Sequence, residues 1–422
     1  MISTRIPDIE AAIGRFVRWL DGYGETSFDH QSYYASKIGR AAKAMYYRRP
    51  IIGKFAVAPM VLSEAFLPSA RKLYWKKQRF PIADAHYAMG FALLAKMNGA
   101  QKDYRHAVHF LTVLEETRCP DYPDYCWGYP FDWETRNGPM TGGTPLITTL
   151  PYAYEAFSYV YSIDSSPRWR EVLRSIAEHG FRSYRDMETG TNAASCAYTP
   201  SADDPCGVVN ASAYRAFLLT QAGIDFSDEL YSKVATKNLN FVIQSQNSDG
   251  SWRYSIDGAR NFVDHFHTCF VLKALAKIER LTGSTDCRRA IDRGVAYYAK
   301  NLFDATGLPV PFSRAPRLTI YRRELYDYAE CINLGALLYG RYPVLDKILS
   351  GVITDLLSRW QKADGSFRAR ELLLGWDNVP MHRWAQGQTF RSLCFLLSET
   401  QGPTRGAGAS GKAQITESTQ AR

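Results

Sequence analysis

Six apolar segments recur along the chain at a nearly constant spacing. They occupy residues 81–97, 145–160, 208–222, 264–280, 327–340 and 385–399. The gaps between their central residues (Phe91, Tyr152, Tyr214, Phe270, Ile332 and Phe390) are 61, 62, 56, 62 and 58 residues. A repeat of this period predicts a structure built from similar consecutive units.

Amphipathic segments with a single apolar stripe alternate with these repeats. They lie at 102–117, 166–184, 227–245, 286–301 and 343–360, with an earlier one within 8–20 or 31–45. A helix that is apolar on most faces is buried, whereas a helix with one stripe covers a core. The alternation therefore predicts an all-α (α/α)6 toroid, with six helical hairpins in two concentric layers. We assign it to residues 1–400 as one domain, and expect the Gly-, Ser- and Thr-rich tail 401–422 to be disordered.

Turn-rich loops precede the apolar helices, so they should gather at one mouth of the toroid. Two of these loops share a local pattern, QNSDGSWRY at 246–254 and QKADGSFRA at 361–369. An Asp-Gly turn followed by an aromatic residue is suited to packing one helix against the next. We expect a structural role for both copies.

The stretch NFVDHFHTCF, residues 261–270, places three ionisable residues on the first turn of an inner helix. Asp264 and His267 are spaced i, i+3, as are Asp327 and Glu330 on the following inner helix, so each pair shares a helical face. A carboxylate beside an imidazole can act as a general acid/base, and two carboxylate clusters across a cavity suit glycoside hydrolysis. The candidate catalytic residues are Asp264, His265, His267, Asp327 and Glu330. A helix cap at Asp264 and a core histidine at His267 are the structural alternatives.

Aromatic and polar residues of the mouth loops form a candidate substrate site. Indole rings can stack on sugars, and guanidinium groups can bind a uronate or phosphate through two hydrogen bonds. The candidates are Trp127, Asp132, Trp133, Arg136, Asn210, Trp252, Arg383, Trp384 and Gln388. Core packing for the tryptophans and interior salt bridges for the arginines are the alternatives.

The formal net charge of +9 is concentrated in the N-terminal part. Residues 1–80 contain 14 Lys/Arg and 6 Asp/Glu. Within them, basic residues flank the apolar segment Phe55–Leu67, in a stretch, 50–80, that we predict to be a loop. Residues 48–79 could contact an anionic membrane surface or simply pack on the body of the protein. No nucleic-acid-binding motif accompanies the charge, so nucleic acid is not an expected partner.

The eight cysteines are scattered, without a C-x-x-C pair, and no apolar export signal opens the chain. We expect reduced thiols in a cytoplasmic protein, either free or peripheral at the inner membrane. No cofactor is expected, and zinc enters only through the first resemblance below.

The pattern Q-x-x-D-G-S-[WF] resembles the QW repeats of class II terpene cyclases. The segment HTCF, 267–270, resembles the helix that supplies a zinc-binding histidine in protein prenyltransferase β subunits, and both families are α/α toroids. However, the cyclase motif D-x-D-D is absent, and Asn210-Ala211-Ser212 stands where a prenyltransferase has D-x-C. Asp204-Pro205-Cys206 lies nearby and could supply substitute ligands. The resemblance implies an isoprenoid-handling enzyme with zinc or an acid at His267.

A second resemblance covers nearly the whole chain. Five segments, 126–136, 142–157, 208–219, 249–275 and 380–397, are similar to toroid proteins of bacterial exopolysaccharide and O-antigen gene clusters, described as polysaccharide biosynthesis proteins. Such relatives carry D-x-H-S at the fifth inner helix, where this chain has Asp327-Tyr328-Ala329-Glu330.

This resemblance implies a role in exopolysaccharide biosynthesis or processing, and our leading hypothesis there is a carbohydrate-active enzyme that acts on a sugar or lipid-linked glycan. Such an enzyme would use general acid/base chemistry, and the sequence leaves hydrolysis, elimination and epimerisation open as its reaction. A non-catalytic glycan-binding scaffold is the third hypothesis, beside the isoprenoid-handling enzyme.

Overall fold

A computed structural model describes residues 2–401, which are mostly helical. The α-helices, in chain order, are α1 (Ile6–Tyr23), α2 (Ser32–Ala35), α3 (Lys37–Arg48), α4 (Pro50–Phe66), α5 (Arg71–Tyr74), α6 (Pro81–Asn98), α7 (Gln101–Glu116), α8 (Leu150–Asp164), α9 (Pro167–Arg182), α10 (Val209–Phe226), α11 (Glu229–Gln244), α12 (His265–Thr282), α13 (Thr285–Asn301), α14 (Leu325–Leu337), α15 (Pro343–Asp355) and α16 (Gly387–Gln401). Residues 402–422 of the predicted tail lie outside the described residues.

Twelve of these helices form two closed rings. The inner ring runs α6, α8, α10, α12, α14 and α16, and α16 packs back on α6. The outer ring comprises α7, α9, α11, α13 and α15, and α1 completes it beside α16. Every residue of α14 is buried, whereas α9 buries mainly the stripe containing Trp169, Val172 and Ile176. The predicted all-α (α/α)6 toroid is confirmed.

Short antiparallel strands lie in the loops that precede the inner helices. They are β1 (Trp133–Thr135) with β2 (Gly138–Met140), β3 (Asp186–Gly190) with β4 (Ala193–Cys196), β5 (Val263–Asp264) with β6 (Phe312–Arg314), and β7 (Tyr321–Glu324) with β8 (Arg370–Leu372) and β9 (Trp376–Asp377). The β5–β6 and β7–β8 pairs each join loops of neighbouring hairpins. They fix the loops that carry the mouth residues.

The two Asp-Gly loops make equivalent hydrogen bonds to their neighbouring outer helices. Gln246 donates to the carbonyls of Gly250 (3.0 Å) and Ala290 (2.9 Å) on α13, and Gln361 donates to Gly365 (3.1 Å) and Ala12 (2.8 Å) on α1. Each loop therefore ties its outer helix to the next outer helix. The second copy joins the last hairpin to α1, so it closes the outer ring.

Residues 24–80 do not belong to either ring, and they cover part of the mouth. The loop predicted over 50–80 is wrong, because this stretch contains the helices α4 and α5. Pro50 occupies the first turn of α4, where a proline is compatible with a helix. Pro59 lies on the exposed side of α4, where water can solvate the carbonyl that lacks a partner.

Within the described residues, no single helix combines the length and hydropathy of a membrane span. One pair of consecutive segments reaches that length and hydropathy only when taken together, Pro50–Phe66 with Pro68–Tyr74, and the chain bends by 114° between them.

Candidate functional site

Asp264 and His267 lie together at the start of α12, at the mouth of the toroid. Asp264 caps α12: its backbone is extended, and one carboxylate oxygen accepts the His267 backbone N–H at 3.2 Å. Its other oxygen lies 2.6 Å from Nδ1 of the His267 ring. The cap and the imidazole contact thus coexist in one residue, and the sequence analysis had treated them as alternatives.

The His267 ring lies among aromatic side chains and remains partly open. Its centroid is 4.7 Å from that of Tyr254 and 5.4 Å from that of Phe270, in both cases edge-on, and its side chain is 20% exposed. Asp264 is only 2% exposed. A buried carboxylate therefore orients an imidazole that a solute can reach.

Asp327, on the next inner helix, is buried and forms no ion pair with any residue between 2 and 401. Neither of its carboxyl oxygens has a hydrogen-bond partner within the described residues. Burial raises the pKa of Asp327 well above its usual range, and the charges of Glu324 and Asp264 raise it further. Burial and the two neighbouring carboxylates therefore favour the protonated form of Asp327.

Glu324, three residues earlier, has the opposite environment. Its Oε1 accepts from Arg370 Nε at 2.9 Å and from the Trp384 indole N–H at 2.5 Å. Burial would raise the pKa of Glu324, but Arg370 and the nearby His30 outweigh burial and lower this pKa to about 2. Two carboxyl groups one helical turn apart therefore have pKa values shifted in opposite directions.

The N-terminal segment contributes residues that the sequence analysis missed. His30 Nε2 lies 3.1 Å from Glu324, and Glu64 lies 3.2 Å from both Arg370 and Arg71. Arg71 also contacts Asp377 at 2.9 Å. Two signals were available: Glu64 is the single acidic residue within 32–79, and Glu324 extends the i, i+3 series of Asp327 and Glu330 by one turn.

A mostly buried aromatic cluster, in which Trp384 and Phe266 are partly exposed and Tyr326 is buried, adjoins the carboxyl groups. Trp384 stacks on Tyr326 with ring centroids 4.8 Å apart and an angle of 15° between the planes. Phe266 meets the Trp384 ring edge-on at 5.9 Å. Because the indole N–H bonds to Glu324, the Trp384 ring is fixed beside the charged cluster.

Arg383 is not available as an anion clamp, contrary to the sequence analysis. Asp29 binds its guanidinium group through two hydrogen bonds of 2.8 and 2.5 Å, and both residues are buried. A buried guanidinium requires a compensating charge, and the chain supplies one from its own N-terminal segment.

Three further candidates are core residues. The indole N–H groups of Trp127 and Trp252 donate to the carbonyls of Leu114 and Val242, at 2.8 and 2.9 Å, and both rings are buried. His265 is also fully buried, and its ring nitrogens lie 2.7 Å from the Tyr298 hydroxyl and 3.2 Å from the Leu302 carbonyl. Burial lowers the pKa of His265 to about 3. The polar atoms of all three are bonded within the core, which supports the packing alternative for them.

Glu330, Gln388 and Asn210 lie in the toroid interior. Glu330 pairs with Lys273 and accepts a hydrogen bond from Gln388, and all three side chains are buried. Asn210 is buried as well, and no hydrogen-bond partner for its Oδ1 occurs in the part of the chain that the structure describes. Because Lys273 already neutralises Glu330, this carboxylate does not form a catalytic pair with Asp327.

The remaining candidates lie on or beside the β1–β2 hairpin at the rim. Asp132 pairs with Arg40 at 3.0 Å and accepts the Gly142 N–H. Trp133 is half-buried and lies edge-on to Tyr129, while Arg136 is exposed.

A cavity of about 530 Å³ opens between the N-terminal helices and the loop 312–321. His30, Glu64 and Arg370 form part of its wall. The cavity therefore borders Glu324, which contacts both His30 and Arg370. Its other lining residues include four cationic or phenolic groups that suit an anionic ligand, Lys43, Lys54, Arg317 and Tyr47. Burial and the charge of Arg317 lower the pKa of Lys43 to about 8.

No group of three or more His, Cys, Asp or Glu side chains with metal-binding geometry occurs within residues 2–401. Asp204 accepts a hydrogen bond from the Thr199 N–H at 2.6 Å, and the Cys206 thiol contacts the Arg185 carbonyl at 3.6 Å.

No known protein-family profile matches the chain, and no curated protein does. Solved structures share the fold at low sequence identity. The unsaturated glucuronyl hydrolase of Bacillus sp. GL1 superposes with a TM-score of 0.61 at 12% identity, covering 94% of this chain and 96% of the other. Cellobiose 2-epimerase of Bacillus thermoamylovorans gives 0.59 at 9% identity, covering 76% and 88%. A GH76 α-mannanase of Bacteroides thetaiotaomicron gives 0.56 at 9% identity, covering 76% and 86%.

Proposed function

We propose that the chain is a carbohydrate-active enzyme that performs general acid/base chemistry on a sugar unit of an exopolysaccharide or lipid-linked glycan. The observation that carries this proposal is the buried carboxyl group of Asp327, which has a raised pKa and no hydrogen-bond partner within the described residues, near Glu324 and the Asp264–His267 pair. Sites that need both an acid and a base separate the pKa values of neighbouring groups in this way.

His267 and Asp327 supply complementary groups from adjacent inner helices. When Nδ1 donates to Asp264, Nε2 of the neutral imidazole retains its lone pair and can accept a proton. The raised pKa of Asp327 favours its protonated form, which can donate one. Asp264 acts through His267, because it fixes the tautomer and the orientation of the ring.

The surroundings of these groups suit a sugar better than an isoprenoid chain. The Trp384–Tyr326 stack offers a flat apolar face with polar groups at its edge, as sugar rings require. The adjoining cavity presents Lys43, Lys54 and Arg317, which fit a uronate or phosphate substituent. Three solved structures with this fold are carbohydrate enzymes by name, which agrees with such a substrate.

A glycan screen tests the proposal. Wild-type protein is incubated with oligosaccharides from bacterial surface polysaccharides, with and without uronate residues, and new anomeric or unsaturated proton signals are followed by NMR. We expect turnover of at least one glycan, and its loss in His267→Ala with glycan binding retained. Glycan binding without turnover by the wild type would instead identify a scaffold. Bound zinc, detected by elemental analysis and required for turnover, would support the isoprenoid-type site.

A further inference from the structure

Helix α4 exposes a wide apolar face that no other part of the described chain covers. Ile51, Ile52, Phe55, Leu62 and Phe66 are between 51% and 79% exposed. The face continues through Leu67 and Leu73, which are 66% and 85% exposed. The opposite side of the same helix is buried at Gly53, Glu64 and Ala65. We call the exposed side, 51–74, the α4 face.

The net positive charge of the protein is concentrated around this face. Residues 32–79 contain eleven Lys/Arg and one acidic residue, Glu64, which is buried and paired with Arg71 and Arg370. The whole chain carries +9, so the remainder is close to neutral. Exposed basic residues stand at both ends of the α4 face, at Arg48 and Arg49 and at Lys72, Lys76 and Lys77.

We propose that the α4 face docks on the surface of an anionic lipid bilayer, with α4 parallel to the membrane plane. An exposed apolar face flanked by basic residues is the pattern of helices that lie in the membrane interface, where buried apolar area and attraction to acidic headgroups add together. The sharp bend of 114° after α4 fits a hairpin lying on a surface.

A second copy of the chain fits this face less well. Two α4 faces brought together would place two strongly basic segments against each other, and like charges at close range repel. An anionic bilayer instead supplies apolar and negatively charged groups in the same layers. The charge pattern therefore favours lipid over self-association.

Docking through α4 would also place the cavity beside the bilayer, because Val57 and Val61 on the inner side of the same helix line it. Resting on the proposed function, this position favours a glycan still attached to its membrane lipid as the substrate. The docking itself is independent of the chemistry at the mouth, so Asp327→Asn should bind vesicles as the wild type does.

Vesicle sedimentation tests the docking. The purified full chain is mixed with vesicles of phosphatidylcholine alone or of phosphatidylcholine with phosphatidylglycerol. We expect sedimentation with the anionic vesicles, weakened by salt, and an affinity lower by about tenfold or more in Phe55→Glu/Leu62→Glu and in Arg48→Glu/Arg49→Glu. Leu230→Glu, an exposed leucine of α11, is the matched control and should bind normally.

Circular dichroism and melting curves show whether each variant is folded. Failure of the folded wild type to sediment with anionic vesicles would overturn the proposal, as would unchanged binding by Phe55→Glu/Leu62→Glu. A concentration-dependent dimer that this double variant abolishes, without vesicle binding by the wild type, would show that a second copy covers the face.

Discussion

At the residue scale, the charge state of Asp327 sets the pH response of the mouth. Its pKa is raised in the folded chain by burial and by Glu324 and Asp264, so the folded state holds a proton that the unfolded state releases at lower pH. This contribution to stability is complete below the unfolded-state pKa and is lost as pH rises through the folded-state pKa.

Asp327→Asn should therefore remove a pH-dependent loss of stability. We expect the melting temperature of the variant to rise relative to that of the wild type as pH increases above the pKa of an unfolded aspartate, because the amide has no proton to lose. Thermal melts of both proteins across pH measure this difference. Parallel curves would show that Asp327 has an ordinary pKa and is not a proton donor.

The Asp29–Arg383 pair gives a second prediction at this scale. Asp29→Ala leaves a buried guanidinium without its counter-charge, so we expect a loss of about 3–5 kcal/mol in the free energy of unfolding. Asp21→Ala, which removes an exposed pair with Lys102, should cost about 0–1 kcal/mol. Urea unfolding measures both values, and equal small losses would mean that water reaches Arg383.

At the scale of elements, the Asp-Gly loops should be sensitive to any side chain. Gly250 and Gly365 have φ of +91° and +96°, and an added Cβ would lie 2.4 Å from the Arg293 carbonyl oxygen and 2.3 Å from that of Arg15. We expect Gly250→Ala to destabilise the protein by about 1–3 kcal/mol, from backbone strain alone. Gly351→Ala, in open space on α15, should stabilise by about 0.5–1 kcal/mol. An unchanged free energy of unfolding in Gly250→Ala would show that the loop is not packed tightly against α13.

Elements were predictable because burial leaves a period in the sequence. The six inner helices appear within a few residues of their predicted bounds, since positions facing both layers must be apolar. The helices within 50–80 were not predictable in this way. Helix α4 exposes apolar residues and buries Glu64, which is the reverse of the usual pattern. Site residues were harder to predict. His265 shares the outward-facing side of its helix with Cys269 and Leu272, whereas His267 does not. This difference can be read from the sequence only once the helix is known to be packed on two sides.

At the scale of the whole molecule, all eight cysteines are free and buried, four of them on ring helices and four in the loops and strands at the mouth. We therefore expect a thiol reagent to label the native protein only as fast as it unfolds, and to label all eight cysteines in denaturant. A reductant should leave the melting temperature unchanged. Rapid native labelling would indicate that the rings open locally.

Ring closure is what makes distant segments one site. His30, Asp264, Asp327 and Trp384 come from four separate parts of the chain, and they meet only because α1 and α16 complete the two rings. Sequence spacing predicted that the loops would gather at one mouth. It did not predict that residues 24–80 would fold over that mouth and supply His30, Asp29 and Glu64 to it.

The central claim is that Asp327 donates a proton to a bound sugar. The most direct measurement compares kcat and KM of wild type, Asp327→Asn and Asp225→Asn on the glycan found by the screen. Asp225, at the far end of α10, is the matched carboxylate control. We predict that Asp327→Asn lowers kcat by a factor of about 10²–10⁴ with little change in KM, and that Asp225→Asn does not. An unchanged kcat in folded Asp327→Asn would contradict the account.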